Sequence, residues 1–169
     1  GEDQKQNIEI CRDLASKFNH TYEGEFLVEP EEYIVKSVAT VPGTDGQKMS
    51  KSYNNTLPIF DQPKDRKKKI MSILTDSTPL EEPKDPETDH VFALISLFAD
   101  EEHKEEIAAK YRAGGYGYGH AKKELLGLMN DYFHEASERR ILLQENPSLV
   151  YDVLREGGKR ARIQAETVM

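Results

Sequence analysis

Lys48 and Lys51 stand three residues apart in the run Lys48-Met49-Ser50-Lys51-Ser52, and each is closely followed by a serine. Ammonium groups act as compact charges on phosphate oxygens, and hydroxyls and backbone N–H groups add hydrogen bonds to them. The chemistry suggested is the grip of a polyphosphate. The preceding stretch, Pro42-Gly43-Thr44-Asp45-Gly46-Gln47, is rich in turn formers, and Tyr53-Asn54-Asn55-Thr56 follows. The lysines are therefore expected on a loop that turns and moves. Lysine and serine are common in any solvated loop, so a single Lys-Ser pair carries nothing. The complete five-residue string does.

A second polar cluster opens the chain, Gly1-Glu2-Asp3-Gln4-Lys5-Gln6. It leads into a predicted amphipathic helix from about Asp3 to Asn19, with Ile8, Cys11, Ala15 and Phe18 on one stripe and Leu14 beside it. Asp3 suits the start of that helix as a capping acid, or as an acceptor for a ligand hydroxyl at the same place.

The two clusters carry a resemblance. Lys48–Ser52 is similar to the signature loop of class I aminoacyl-tRNA synthetases, and Gly-x-Asp-Gln opening a helix resembles the second signature of their tryptophanyl and tyrosyl branch. The string Gly1–Gln6 with Ile8-Glu9-Ile10-Cys11-Arg12-Asp13, the phrase Leu74-Thr75-Asp76-Ser77 and the glycine-tyrosine turn 115–122 resemble bacterial-type tryptophanyl enzymes more than tyrosyl ones. Asn7 stands where that family usually has histidine.

The resemblance implies that Lys48, Met49, Ser50, Lys51 and Ser52 close on ATP, with Lys48 and Lys51 catalytic at the pyrophosphate. It places Gly1, Glu2 and Asp3 at the nucleotide, Asp3 on its ribose, and Ala39 against the adenine. Gln4 would lie beside the bound amino acid. Implied for the intact enzyme are tryptophan, tRNA(Trp), ATP with Mg2+, a homodimer and a cytoplasmic setting. The rival readings are a tyrosyl-type enzyme and a non-enzymatic helical RNA-binding module. The family's upstream histidine signature is absent from the sequence, a polar motif stands at its first residue, and its last residues read as uncapped helix. These observations lead to the expectation of an excised C-terminal half.

The 169 residues are 37% hydrophobic and 32% charged, enough for a packed core. The formal net charge of −8 argues against a generic nucleic-acid coat, while leaving room for a local basic patch. One cysteine, Cys11, excludes an internal disulfide and a cysteine metal cluster, and no metal ligands are assigned. No apolar run approaches the roughly 20 residues of a membrane span.

The expected fold is mainly α. A remnant of the α/β, Rossmann-like nucleotide-binding domain spans 1–60, and a helical tRNA- and anticodon-binding bundle spans 61–169. Glu25–Val28 reads as a short strand or extended segment, and Val38–Val41 as the extended approach to the loop. Asp61 or Gln62 should cap a helix with Pro63 in its first turn and Ile70, Ile73 and Leu74 on its apolar side. Its basic run, Lys64 and Arg66 to Lys69, reads either as a solvated face or as an RNA-backbone contact. Val91–Phe98 should be a core helix, and Asp100 should cap another that Gly114-Gly115 stops. A long helix is predicted from about His120 to Gln144, with Leu125, Leu128, Met129, Tyr132, Phe133 and Ala136 in the core. Asn146-Pro147 should start the last helix, with Val150, Val153, Leu154 and Ala161 inside and a bend at Gly157-Gly158.

Overall fold

A computed structural model describes residues 2–35, 40–60 and 62–168 of the chain, without the side chains of Asp3 and Val168. The expectations for Gly1, Ala39 and Asp61, and for the Asp3 carboxylate, lie outside the described residues.

The described residues are mainly helical. A 3-10 turn, Glu2–Gln4, leads into α1 (Lys5–Thr21). Then come α2 (Pro63–Met71), α3 (His90–Ile95), α4 (Glu101–Ala113), α5 (Tyr118–Tyr132), α6 (His134–Glu145) and α7 (Pro147–Val168). Among the described residues the only β pairing is an isolated antiparallel bridge between Pro42 and Lys48. By contacts the chain falls into two units, Gly1–Leu128 and Met129–Met169.

In the first unit, the stretch after α1 is extended and, among the described residues, pairs with no strand. Asn19 does the work of a neighbouring strand: its Oδ1 accepts from the N–H groups of Phe26 and Leu27, and its Nδ2 donates to the Leu27 carbonyl at 2.7 Å. Arg12 Nε donates to the Pro30 carbonyl at 2.9 Å, and Lys5 pairs with Glu32 at 3.1 Å. The predicted apolar stripe of α1 is mostly uncovered. Ala15 is buried, whereas Cys11, Leu14 and Phe18 are exposed.

The core of this unit lies among α2 to α5, in Ile70, Ile73, Val91, Phe92, Leu94, Ile95, Ile107, Tyr111 and Leu125. Leu74, expected on the apolar side of α2, is exposed. Gln62 sits at the N-cap of α2 but makes no side-chain cap, and Pro63 begins the helix. Asp89 caps α3 by accepting from Phe92 N–H at 2.7 Å, and also accepts from the buried Tyr111 hydroxyl at 2.9 Å. Burial pushes that phenol far above its ordinary pKa, with the Asp89 carboxylate acting in the same direction. Asp100 caps α4 through His103 N–H at 2.8 Å, as the sequence suggested. Gly114 ends it at φ 78°, where a Cβ would come within 2.4 Å of the Glu81 carbonyl oxygen.

Two lysines hold the loops between these helices. Lys84 is 5% exposed and donates from Nζ to the carbonyls of Pro79, Leu80 and Glu82. Lys122 on α5 donates to the carbonyls of Met71 and Ile73, closing the end of α2. The glycine-tyrosine phrase anchors this corner: Tyr111 lies edge-on or tilted to Tyr116 and Tyr118, and Tyr116 stacks on His120.

In the second unit, the predicted continuous helix from His120 to Gln144 is interrupted. Phe133 takes φ −97° and ψ 9° between α5 and α6. Helical bonds continue on both sides, Phe133 N–H to Met129 O and Ser137 N–H to Phe133 O. The interruption is therefore a bend, not a loop, and no proline or glycine marks it. Met129 is buried as expected, but Tyr132 and Ala136 are exposed. α7 starts at Pro147 and runs through Gly157-Gly158 unbroken, and Val150, Val153, Leu154 and Ala161 are exposed. Apolar periodicity showed which face of each helix is greasy; it carries no information on whether anything covers that face.

Candidate functional site

The lysine run sits on a closed loop with a rigid base. Pro42 pairs with Lys48 across it, Gly43 N–H donates to Gln47 O at 2.6 Å, and Met49 N–H donates to Val41 O at 2.9 Å. Asp45 accepts from Gln47 N–H at 3.1 Å within the turn. Gly46 has φ 78°, and a Cβ there would stand 2.1 Å from the His90 ring, so the start of α3 rests directly on this backbone. Thr44 O accepts from Leu74 N–H at 2.8 Å, tying the loop to the chain that leaves α2.

Asn55, 2% exposed, organises the loop. Its Oδ1 accepts from Ser50 N–H at 2.7 Å. Its Nδ2 donates to Asp45 Oδ1 at 2.7 Å and to Lys48 O at 3.1 Å. Its own carbonyl accepts from Thr44 N–H at 2.9 Å. A Cβ on Gly43 would lie 2.3 Å from this amide, so a side chain at position 43 is incompatible with Asn55 where it stands. An amide both donates and accepts, which is what joining an N–H, a carbonyl and a carboxylate at one point requires. Sequence reasoning assigned Asn55 no role. The available signal was an amide a few residues beyond a motif that needs its backbone fixed.

Above this base, Ser50 to Asn54 form a tight turn. Tyr53 N–H donates to Ser50 O and Asn54 N–H to Lys51 O, both at 3.2 Å, with Asn54 at φ 53°. The Ser50 and Ser52 hydroxyls are 2.7 Å apart, and Ser52 N–H donates to Ser50 Oγ at 3.2 Å. Lys48 and Lys51 are exposed, and Met49 and Ser50 are half-buried. The arrangement thus carries two exposed lysines on a backbone whose origin is fixed by one buried side chain.

The Asn55 amide, as the largest influence, holds the Asp45 carboxyl below its ordinary value of 3.8. A carboxyl whose folded pKa is depressed adds stability above the unfolded value, and that stability is lost as pH falls through the folded value. The loop base should therefore hold at neutral pH and loosen only in acid below 3.8. In a carboxyl NMR titration Asp45 should titrate below that value, and Asn55→Ala should return it towards normal. An unchanged Asp45 titration in the variant would break the assignment.

At the other cluster, Gln4 occupies the N-cap of α1 without capping it, and its Oε1 accepts from Asn7 Nδ2 at 2.9 Å. Asn7, to which the sequence gave no role, therefore fixes the orientation of the Gln4 amide. Glu2 and Gln4 are exposed.

The sequence model of class I tRNA synthetases (W and Y) matches residues 1–134. A tryptophan–tRNA ligase of Rhodopirellula baltica is 52% identical over 169 residues, all of this chain and 52% of that protein. A second, from Fusobacterium nucleatum, is 51% identical over 162 residues, 96% of this chain and 50% of that protein. Among solved structures, the tryptophanyl-tRNA synthetase of Campylobacter jejuni complexed with ADP and tryptophan matches with a TM-score of 0.79 and 48% identity. That match covers 96% of this chain and 50% of the other. The chain spans about half the length of the relatives it matches.

Proposed function

Because this chain belongs to the class I tRNA synthetases of the tryptophan and tyrosine branch, we propose that it is the lysine-loop half of a tryptophan–tRNA ligase. The observation that carries the reading is the lysine loop fixed by Asn55, which presents Lys48 and Lys51 to solvent. The identity of 52% to a tryptophan–tRNA ligase along the whole chain supports tryptophan over tyrosine.

In the intact enzyme the tryptophan carboxylate attacks the α-phosphorus of ATP and pyrophosphate leaves. The carboxylate is already a nucleophile, so no general base is assigned. Catalysis is positioning and charge stabilisation. Lys48 and Lys51 neutralise charge developing on the departing pyrophosphate, while Met49, Ser50 and Ser52 shape the loop around it. Asp3 takes the ribose, Gly1 and Glu2 border the nucleotide, the Ala39 backbone faces the adenine, and Gln4 lies beside the amino acid. A hydroxyl of the terminal ribose of tRNA(Trp) then attacks the tryptophanyl carbonyl of the adenylate, forming the ester as AMP leaves.

Among the described residues no three His, Cys, Asp or Glu side chains converge as metal ligands. Mg2+ is proposed to enter on the ATP phosphates as part of the substrate. The functional division is proposed near residue 60, between the nucleotide-binding part and the helical part that meets tRNA. A homodimer and a cytoplasmic setting belong to the same proposal. Among the described residues no helix is long and apolar enough to cross a membrane.

The test is ATP–pyrophosphate exchange by the purified chain, alone and mixed with the half of the R. baltica relative that it does not span. A half-site forfeits the effective molarity of a preassembled one. We expect no exchange from the chain alone and tryptophan-dependent exchange on mixing. Tyrosine-dependent exchange would transfer the reading to the tyrosyl branch. A mixture that ignores ATP altogether would reduce the chain to a binding module.

A further inference from the structure

The basic run of α2 divides into two faces. Arg66 is only 7% exposed and points inward, where its guanidinium donates to the Ile59 carbonyl. Ile70, one turn on, is fully buried beside it. At 100° per residue, Lys64, Lys67 and Lys68 fall together on the opposite side of the helix, and all three are exposed. Among the described residues none of the three forms an ion pair, although the chain carries a net charge of −8. Four lysines on other elements, Lys5, Lys104, Lys110 and Lys159, do have an acidic partner within 4 Å. Asp65 lies beside Lys64 in the first turn, so this side of the helix carries three ammonium groups to one carboxylate, a local positive excess on an acidic protein.

The platform beneath these lysines is fixed at both ends. Arg66 ties the start of α2 to Ile59, in the chain leaving the lysine loop, and Lys122 ties its end through the Met71 and Ile73 carbonyls. The backbone that carries the three lysines is therefore tied to the chain leaving the loop that carries Lys51. No aromatic side chain lies within α2, so the face offers point charges and no stacking surface.

We propose that the Lys64–Lys67–Lys68 face of α2 is a docking surface for the sugar-phosphate backbone of RNA. Resting on the ligase reading, the RNA is tRNA held while its end is served by the lysine loop. Lysines that meet phosphates position a nucleic acid without reading its bases. Affinity through this face should thus be indifferent to sequence and strongly dependent on salt.

The experiment compares two triple variants of the 169-residue chain with the same change in net charge, K64Q/K67Q/K68Q and, on ion-paired lysines, K104Q/K110Q/K159Q. Binding of fluorescent tRNA(Trp), of an unrelated tRNA and of polyglutamate is followed by anisotropy across a sodium chloride titration, with circular dichroism as the check on folding. The α2 triple should bind both RNAs at least about tenfold more weakly. Its dependence of log affinity on log salt should be shallower by about two to three. The other triple should bind as the parent does. An α2 triple that binds RNA like the parent, two triples weakened equally, or an equal loss towards polyglutamate would each overturn the proposal. Absence of tryptophan-dependent exchange in the mixing experiment, with the RNA result intact, would unseat the ligase reading and leave this surface standing.

Discussion

Lys51→Ala in the assembled enzyme is expected to slow tryptophan-dependent pyrophosphate exchange by a factor on the order of 100 to 1000, the usual loss when one group stabilising transition-state charge is removed. On the proposed role, in which the ammonium would meet charge that grows only as pyrophosphate departs, the effect should fall on kcat, with KM for tryptophan little changed. Lys51 lies exposed on the Ser50–Asn54 turn, so the substitution removes a charge without disturbing a core. The variant should keep the parent's thermal midpoint. Lys48→Ala should be damaging for the same reason, and its backbone carbonyl stays held by Asn55. Normal exchange by Lys51→Ala would demote the loop to a surface feature.

Asn55→Ala should hurt differently. It leaves Ser50 N–H, the Lys48 carbonyl and the Asp45 carboxylate without their shared partner, and opens a void at a site only 2% exposed. Stranding buried polar groups in this way costs about 2–4 kcal/mol in all. Both stability and exchange should fall, by a drop in melting temperature and a loss of about 10- to 100-fold in kcat as the lysines lose their fixed origin. Asn55→Asp separates positioning from packing. It fills the same volume and can still accept from Ser50 N–H, but sets an oxygen against the Asp45 carboxylate in place of a donor, with Nδ2 to Oδ1 now 2.7 Å. At neutral pH it should be at least as impaired as the alanine variant, and it should recover in part on mild acidification, as one of the paired carboxyls takes a proton. Two variants that melt early yet exchange normally would restrict Asn55 to a structural role.

The elements that were legible from the sequence have local causes. Asp100 and Gly114-Gly115 bracket α4 because a carboxylate can satisfy the first N–H groups of a helix and glycine can leave it at positive φ. Pro147 likewise marks the start of α7. The turn that carries Lys48–Ser52 was readable because Pro42-Gly43 and Gly46 just before it are turn formers. What was not legible depends on partners distant in the chain. Arg66 reads as one more cation in a basic run, and only its placement one turn before Ile70 turns it inward. Lys84 and Lys122 look like surface lysines until the carbonyls they close are in place. Asn55 is a small polar residue in a loop, a description that fits many residues with no such role. The bend at Phe133 has no proline or glycine to announce it.

The second unit carries a consequence for cooperativity. α6 buries none of its side chains, and the apolar residues of α7, among them Tyr151, Val153, Leu154 and Ile163, remain open to water. Segments that bury little apolar surface open with small free energies, well below that of the global transition. The chain should therefore behave as two cooperative units of unequal depth. Backbone amides after Leu128 should exchange with solvent through frequent local opening, while those of Ile107, Tyr111 and Leu125, set in the packed core, should wait for the whole first unit to unfold. The lysine loop, fastened by Asn55, Leu74 and His90, belongs to the slow unit.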